Sequence, residues 1–283
     1  MKSEGKWTLA ALLIPVLQAA SGTSWYWVLG AAAVCGLLCY GVKLDTGEEP
    51  EWVKAVQWLW STWILAEMLF RAGSCWPGGE QTEHIPLLLL VLSGRMAIKG
   101  RKRNQQAAGA LWWMLLLLLI PVGVAAVREI RPGNLRWQKQ DPVLTAMLLL
   151  PAMNRKQGNG LWLPSLAASL AVCGVLGKAA AENPIYEMSR SMSLFGTVKR
   201  FESLAAVGMT LGYFLSLSYV MVNRGRTQKG ILLMAAAAAL WYVAGLRMTG
   251  EWLTAGTVGA EAILPMMSSL KRNVKNTGKG VDK

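Results

Sequence analysis

Apolar positions in this chain gather into ten runs: Thr8–Ala20, Trp25–Val42, Trp52–Phe70, Ile85–Ile98, Ala107–Val127, Pro142–Met153, Leu161–Ala181, Ser203–Val222, Ile231–Leu246 and Trp252–Leu270. A helix that crosses a bilayer needs about 20 apolar residues, with a lower limit near 17. The second, third, fifth, seventh and eighth runs meet that length. The first, fourth and sixth are short, and Glu261 and two glycines interrupt the last. The pattern predicts an all-α, polytopic membrane protein with eight to ten crossings, as one transmembrane domain over 1–270 and a basic cytoplasmic tail over 271–283.

Composition points to the same solvent. The chain is 53% hydrophobic and only 16% charged, with mean hydropathy +0.34, whereas soluble domains carry about a quarter charged residues. Several of the 14 tryptophans, among them Trp7, Trp25, Trp27, Trp52, Trp76, Trp137 and Trp252, stand at run edges, where an indole ring meets the membrane interface. A net charge of +13 would suit nucleic acid, but the cations cluster in short loops beside apolar runs. With ten crossings and a cytoplasmic N-terminus, "GRMAIKGRKRNQQ", "NRKQGNG", "NRGRTQKG" and the tail "KRNVKNTGKGVDK" all fall inside, as the positive-inside rule asks. The predicted outside loop "REIRPGNLRWQKQD" dissents with four basic and two acidic residues. No nucleic-acid partner is expected; the lipid bilayer is. The start, "MKSEGKWTLAALLIPVLQAASG", has the layout of a secretory signal, read here as an uncleaved first helix.

Little in the chain carries chemistry. The single histidine, His84, lies in a polar stretch, and Cys35, Cys39, Cys75 and Cys173 form no metal-ligand spacing. No hydrolase, zinc-peptidase or phosphate-loop motif occurs; neither an enzyme nor a cofactor nor a metal is expected. Charges inside apolar runs are the informative residues, because each costs about 2.5–3.5 kcal/mol at mid-helix on insertion scales. Glu67 precedes Arg71 by four residues and Lys178 precedes Glu182 by four, so each pair shares a helix face. Both read first as end-of-helix pairs reaching the interface, and second as a polar lining for a ligand or ion path. Glu261 has no basic residue within a turn.

Between the seventh and eighth runs lies "AAENPIYEMSRSMSLFGTVKRFESL". Pro184 stops or kinks the preceding helix, and Ile185, Met188, Met192 and Phe195 recur at spacings of three or four. That spacing describes an amphipathic helix in the interface plane. The segment "ENPIYEMSRSMSLFGTVKRFESLAAVGMTLGYF" resembles the corresponding stretch in B subunits of GerA-type spore germinant receptors, at Pro184, Tyr186, Glu187, Arg190, Ser191, Ser193, Arg200 and Glu202. "SGTSWYWVLGAAA" and "MAIKGRKRNQQAAGALWWMLLLLLIPVGVAAVREIRPGNLRW" are similar to two further regions of that family, in order along nearly the whole chain.

The resemblance implies membership of the amino acid–polyamine–organocation transporter superfamily, with ten helices in a LeuT-like five-plus-five inverted repeat. Its first and sixth helices would be broken at mid-membrane, where freed backbone groups make a ligand site. It further implies a spore germination protein of the inner or cell membrane, working with A and C subunits and sensing a small amino-acid-like nutrient. Pro184, Glu187, Arg190, Arg200 and Glu202 would be structural, and Gln18, Ser21, Thr23 and Ser24, faced by Thr62, would line the site. The chain departs from the family in length: 13 residues in the first run are too few for two half-helices, and the sixth is equally short. A small-solute transporter of the same fold, with Glu67 or Glu261 as ion ligands, and a degenerate structural partner without a pocket stand as alternatives.

Overall fold

The computed structural model describes residues 7–8, 10–11, 13–15, 50–76, 84–129, 201–265 and 267–268, with backbone alone at 118–119, 121–129, 201–204 and 262. Among the described residues all regular structure is helical. The elements are α1 (Glu51–Gly73), α2 (His84–Ile98), α3 (Arg101–Glu129), α4 (Phe201–Gly225), α5 (Gln228–Val243) and α6 (Gly250–Val258), which continues into a π-helical turn at Gly259–Ile263. Four apolar runs therefore fold as helices within a few residues of their limits.

Local chemistry sets the boundaries. Glu51 opens α1 and Arg71 stands in its last turn, each at the end of the helix dipole that favours its charge. The connection between α2 and α3 is a single tight turn at Gly100, whose φ of +88° suits glycine. Asn104 then donates its side-chain amide to the carbonyls of Met96 and Gly100, at 2.8 and 2.9 Å. For that reason the basic stretch Arg101–Gln106, expected as loop, is the first turn and a half of α3. Arg226 and Thr227 alone separate α4 from α5, and the Thr227 hydroxyl accepts from the Gly230 N–H at 3.1 Å, capping α5.

Helix α4 is the central element: α1, α2, α3 and α5 all pack on it. It is also the one described helix long and apolar enough to cross a membrane, over Ala205–Gly225, and most of it is buried. The N-terminal helical residues lie against it as well. Trp7 meets the Tyr219 ring edge-on at 4.9 Å, and the Ser216 hydroxyl sits between the carbonyls of Gly212 and Ala11. A side chain at Gly212 would occupy the space of Ile14, so glycine is what lets this segment approach. Across the bundle, Ser93 of α2 donates to the Phe214 carbonyl at 3.2 Å, and Trp76 beyond α1 donates to Thr210 at 2.9 Å.

These contacts fix direction. Gln57 near the start of α1 meets Arg224 at the end of α4, whereas Trp76 meets Thr210 near the other end, so α1 and α4 are antiparallel. Arg101 at the start of α3 donates to Asn223, so the α2–α3 turn lies beside the end of α4. The start of α1, the α2–α3 turn and the α4–α5 turn consequently share one end of the bundle.

Candidate functional site

At that end, below the turns, three polar side chains are buried together. Arg224 comes from the last turn of α4, Gln57 from the second turn of α1 and Glu261 from the π turn after α6. The Arg224 guanidinium forms an ion pair with Glu261 and donates to Gln57 Oε1 at 2.8 Å. Gln57 in turn donates its amide N–H to the Ala260 carbonyl at 3.2 Å. One side chain thus takes a charge partner and two helices into a single hydrogen-bonded unit.

The π turn explains why Ala260 needs Gln57. The Leu264 N–H, which an α-turn would give to Ala260, bonds Gly259 instead. Pro265, the next residue able to reach Ala260 in π geometry, has no N–H. A buried carbonyl without a donor costs about 1–3 kcal/mol, and the Gln57 amide supplies the donor. One turn before, α6 crosses α1 at close range. A Cβ on Gly256 would lie 2.5 Å from Cζ2 of Trp60, so the crossing is made by glycine against indole. Thr257 donates to Leu253 within α6 at 2.7 Å. Ser61, one turn beyond Gln57 on α1, is fully buried, and its hydroxyl has no hydrogen-bond partner.

Glu67 and Arg71 form the i, i+4 pair inside α1, Nε to Oε1 at 2.9 Å, near the opposite end of the bundle from Arg224. Thr62 is buried, and its hydroxyl donates to Trp58 O of its own helix at 2.8 Å. His84 is the exposed first residue of α2, and the buried Cys75 thiol donates to Arg71 O at 3.4 Å. Glu202 lies in the first turn of α4. Gln18, Ser21, Thr23, Ser24, Cys35, Cys39, Cys173, Lys178, Pro184, Glu187, Arg190 and Arg200 lie outside the described residues, as does the 181–198 segment.

The structure therefore brings together Glu261 with two residues that the sequence did not nominate. Arg224 reads as one more loop cation of "NRGRTQKG", and Gln57 as an ordinary polar residue. The signal for the site was the run "GAEAILP", an acidic residue four positions before a proline in an apolar helix; its partner, 37 residues away, leaves no local trace.

Much of the outward surface is apolar as well. Exposed stripes run along α2 through Leu88, Val91 and Leu92, along α3 through Trp113, Leu117 and Ile120, and along α5 through Leu233, Leu240 and Val243. Leu117, Leu240 and Val243 are 71, 70 and 71% exposed, and extended exposed apolar surface marks a membrane or protein contact. No family model matches the chain, and no curated protein matches it.

Proposed function

We propose that the chain is a membrane-embedded, non-enzymatic subunit of the germinant-receptor B type, which senses a small amino-acid-like nutrient together with A- and C-type partners. The observation that carries the membrane part is an apolar exterior on three helices around a core that is itself mostly apolar. Charged and amide groups such as Arg224, Glu261 and Gln57 are buried, while leucine, valine and tryptophan stripes on three helices face outward. Lipid is the solvent in which that arrangement is stable, because only there do apolar side chains gain nothing by turning inward.

The nutrient-sensing part rests on the resemblance around Pro184–Glu202 and its neighbouring segments. Both acidic residues that an ion-coupled transporter would use, Glu67 and Glu261, are engaged by arginines, which favours a sensor over a transporter. A degenerate subunit without a pocket is the second reading. Its support is Thr62, whose hydroxyl is turned back onto its own helix.

Thermal unfolding of the purified protein, alone and co-purified with A- and C-type subunits, tests the proposal against the common amino acids. A ligand at 100 times its Kd adds about 2.7 kcal/mol to stability, a readily measured rise in Tm. Stabilisation by at least one amino acid supports sensing. A folded complex that responds to none supports the degenerate reading instead.

A further inference from the structure

At one end of the bundle all three outward stripes run into cations. On α2 the apolar positions Leu88, Val91 and Leu92 are followed, at the same three-to-four spacing, by exposed Arg95 and Lys99. On α3 the stripe of Trp113, Leu117 and Ile120 is preceded by exposed Lys102 and Arg103, and on α5 exposed Lys229 stands before Leu232 and Leu233. Every one of these cations lies at the same end of the bundle. Lys99 and Lys102 flank the tight Gly100 turn, and the Arg101–Asn223 hydrogen bond holds this tip beside the α4–α5 turn. Among the described residues, the acidic groups at this end are Glu51, paired with Lys54, and Glu261, buried against Arg224.

We propose that the α2–α3 turn, with Arg95, Lys99, Lys102 and Arg103, is a docking site for the phosphate headgroup of an anionic phospholipid. The apolar stripes directly above it take the acyl chains. The proposal rests on the membrane reading given above. Its physical basis is the combination of two features on one face: cations at phosphate depth and leucine, valine and tryptophan at acyl depth. A free phosphate would use only the first. Clusters of four or more cations at the cytoplasmic edge of a helix attract anionic lipid, each adding a factor of about five, and the attraction weakens as salt screens it.

Purified protein in neutral detergent is incubated with equimolar phosphatidylglycerol and phosphatidylcholine of the same chains, and the lipids that stay bound through gel filtration are counted by mass spectrometry. The native chain is expected to retain phosphatidylglycerol preferentially. The Lys99→Gln/Lys102→Gln/Arg103→Gln variant should lose that preference by on the order of a hundredfold, with retained phosphatidylcholine and Tm unchanged because all three side chains are exposed. The Lys99→Arg/Lys102→Arg variant should keep it. Equal retention of the two lipids by the native chain, or an undiminished preference in the glutamine variant, overturns the site. So does displacement of phosphatidylglycerol by inorganic phosphate, which would make it a free-anion site. Alkaline carbonate extraction separates the two levels. A chain released by carbonate defeats the membrane reading itself, whereas a retained chain without lipid preference defeats this site alone.

Discussion

Removing the Glu261 carboxylate should be among the most damaging single changes in the described part of the protein. In Glu261→Ala the Arg224 guanidinium stays buried between α1, α4 and the π turn and loses its Glu261 carboxylate. Breaking one partner of a buried pair in this way costs about 3–5 kcal/mol. Arg224→Ala is expected to cost a similar amount, since it leaves the carboxylate buried and deprives Gln57 of its donor. Replacing both at once, as Arg224→Met/Glu261→Leu, removes the charges together and fills the volume with apolar atoms. Double replacements of this kind are often neutral. The cycle should therefore show strong coupling, on the order of 3 kcal/mol, with the double variant more stable than either single one. Reversible unfolding in mixed micelles on titration with a denaturing detergent, followed by tryptophan fluorescence, gives all four free energies. Singles that cost less than about 1 kcal/mol, or a cycle additive within about 0.5 kcal/mol, would refute the reasoning and place the pair in contact with water.

Three further changes probe other parts of the structure. Gly256→Ala should destabilise by about 1–3 kcal/mol, the range for overpacking, because its methyl group meets the Trp60 ring; Gly256→Ala combined with Trp60→Leu should recover part of the loss in the same unfolding assay. At the exposed start of α1, the Lys54 hydrogen bond and charge, assisted by Arg226, hold the Glu51 carboxyl below the usual carboxylate range. The resulting small stabilisation is present above the ordinary carboxylate pKa and disappears as pH falls through the lowered one. Tm differences between the native chain and Lys54→Gln should vanish in acid, and a difference independent of pH would contradict the assignment. Cysteines introduced at Lys102 and Gln228 should react with an impermeant thiol reagent from the cytoplasmic side only. Labelling of the two from opposite sides of the membrane would sink the shared-end arrangement.

Helix positions were legible because the apolar runs are punctuated by Pro50, Gly73, Gly100 and Gly225 and by the charges around them. Trp52–Phe70 and Ser203–Val222 each lie inside their helix and fall short of it by one to three residues at either end. The start of α3 was not legible. Six polar and basic residues in a row look like loop, and only the left-handed Gly100 with the Asn104 back-bonds makes them helical. The Glu67–Arg71 pair was readable from spacing, since both partners share a helix. The Glu261 site was half readable. An acidic residue in an apolar run announces an internal partner, but the partner sits on another helix, and the π turn at Gly259–Ile263 carries the carboxylate to it. Long-range pairing of this kind depends on which helices pack together, and the order of runs along the chain does not specify that.

The account stands on the outward stripes facing lipid. Spin labels placed singly at Val91, Leu117, Leu233 and Leu240, with the protein in lipid nanodiscs, measure it directly through collision with molecular oxygen, which concentrates in hydrocarbon, and with a water-soluble nickel chelate. All four positions should favour oxygen, with a label at Lys102 favouring the chelate. Chelate-dominated collision at the four apolar positions would contradict the account.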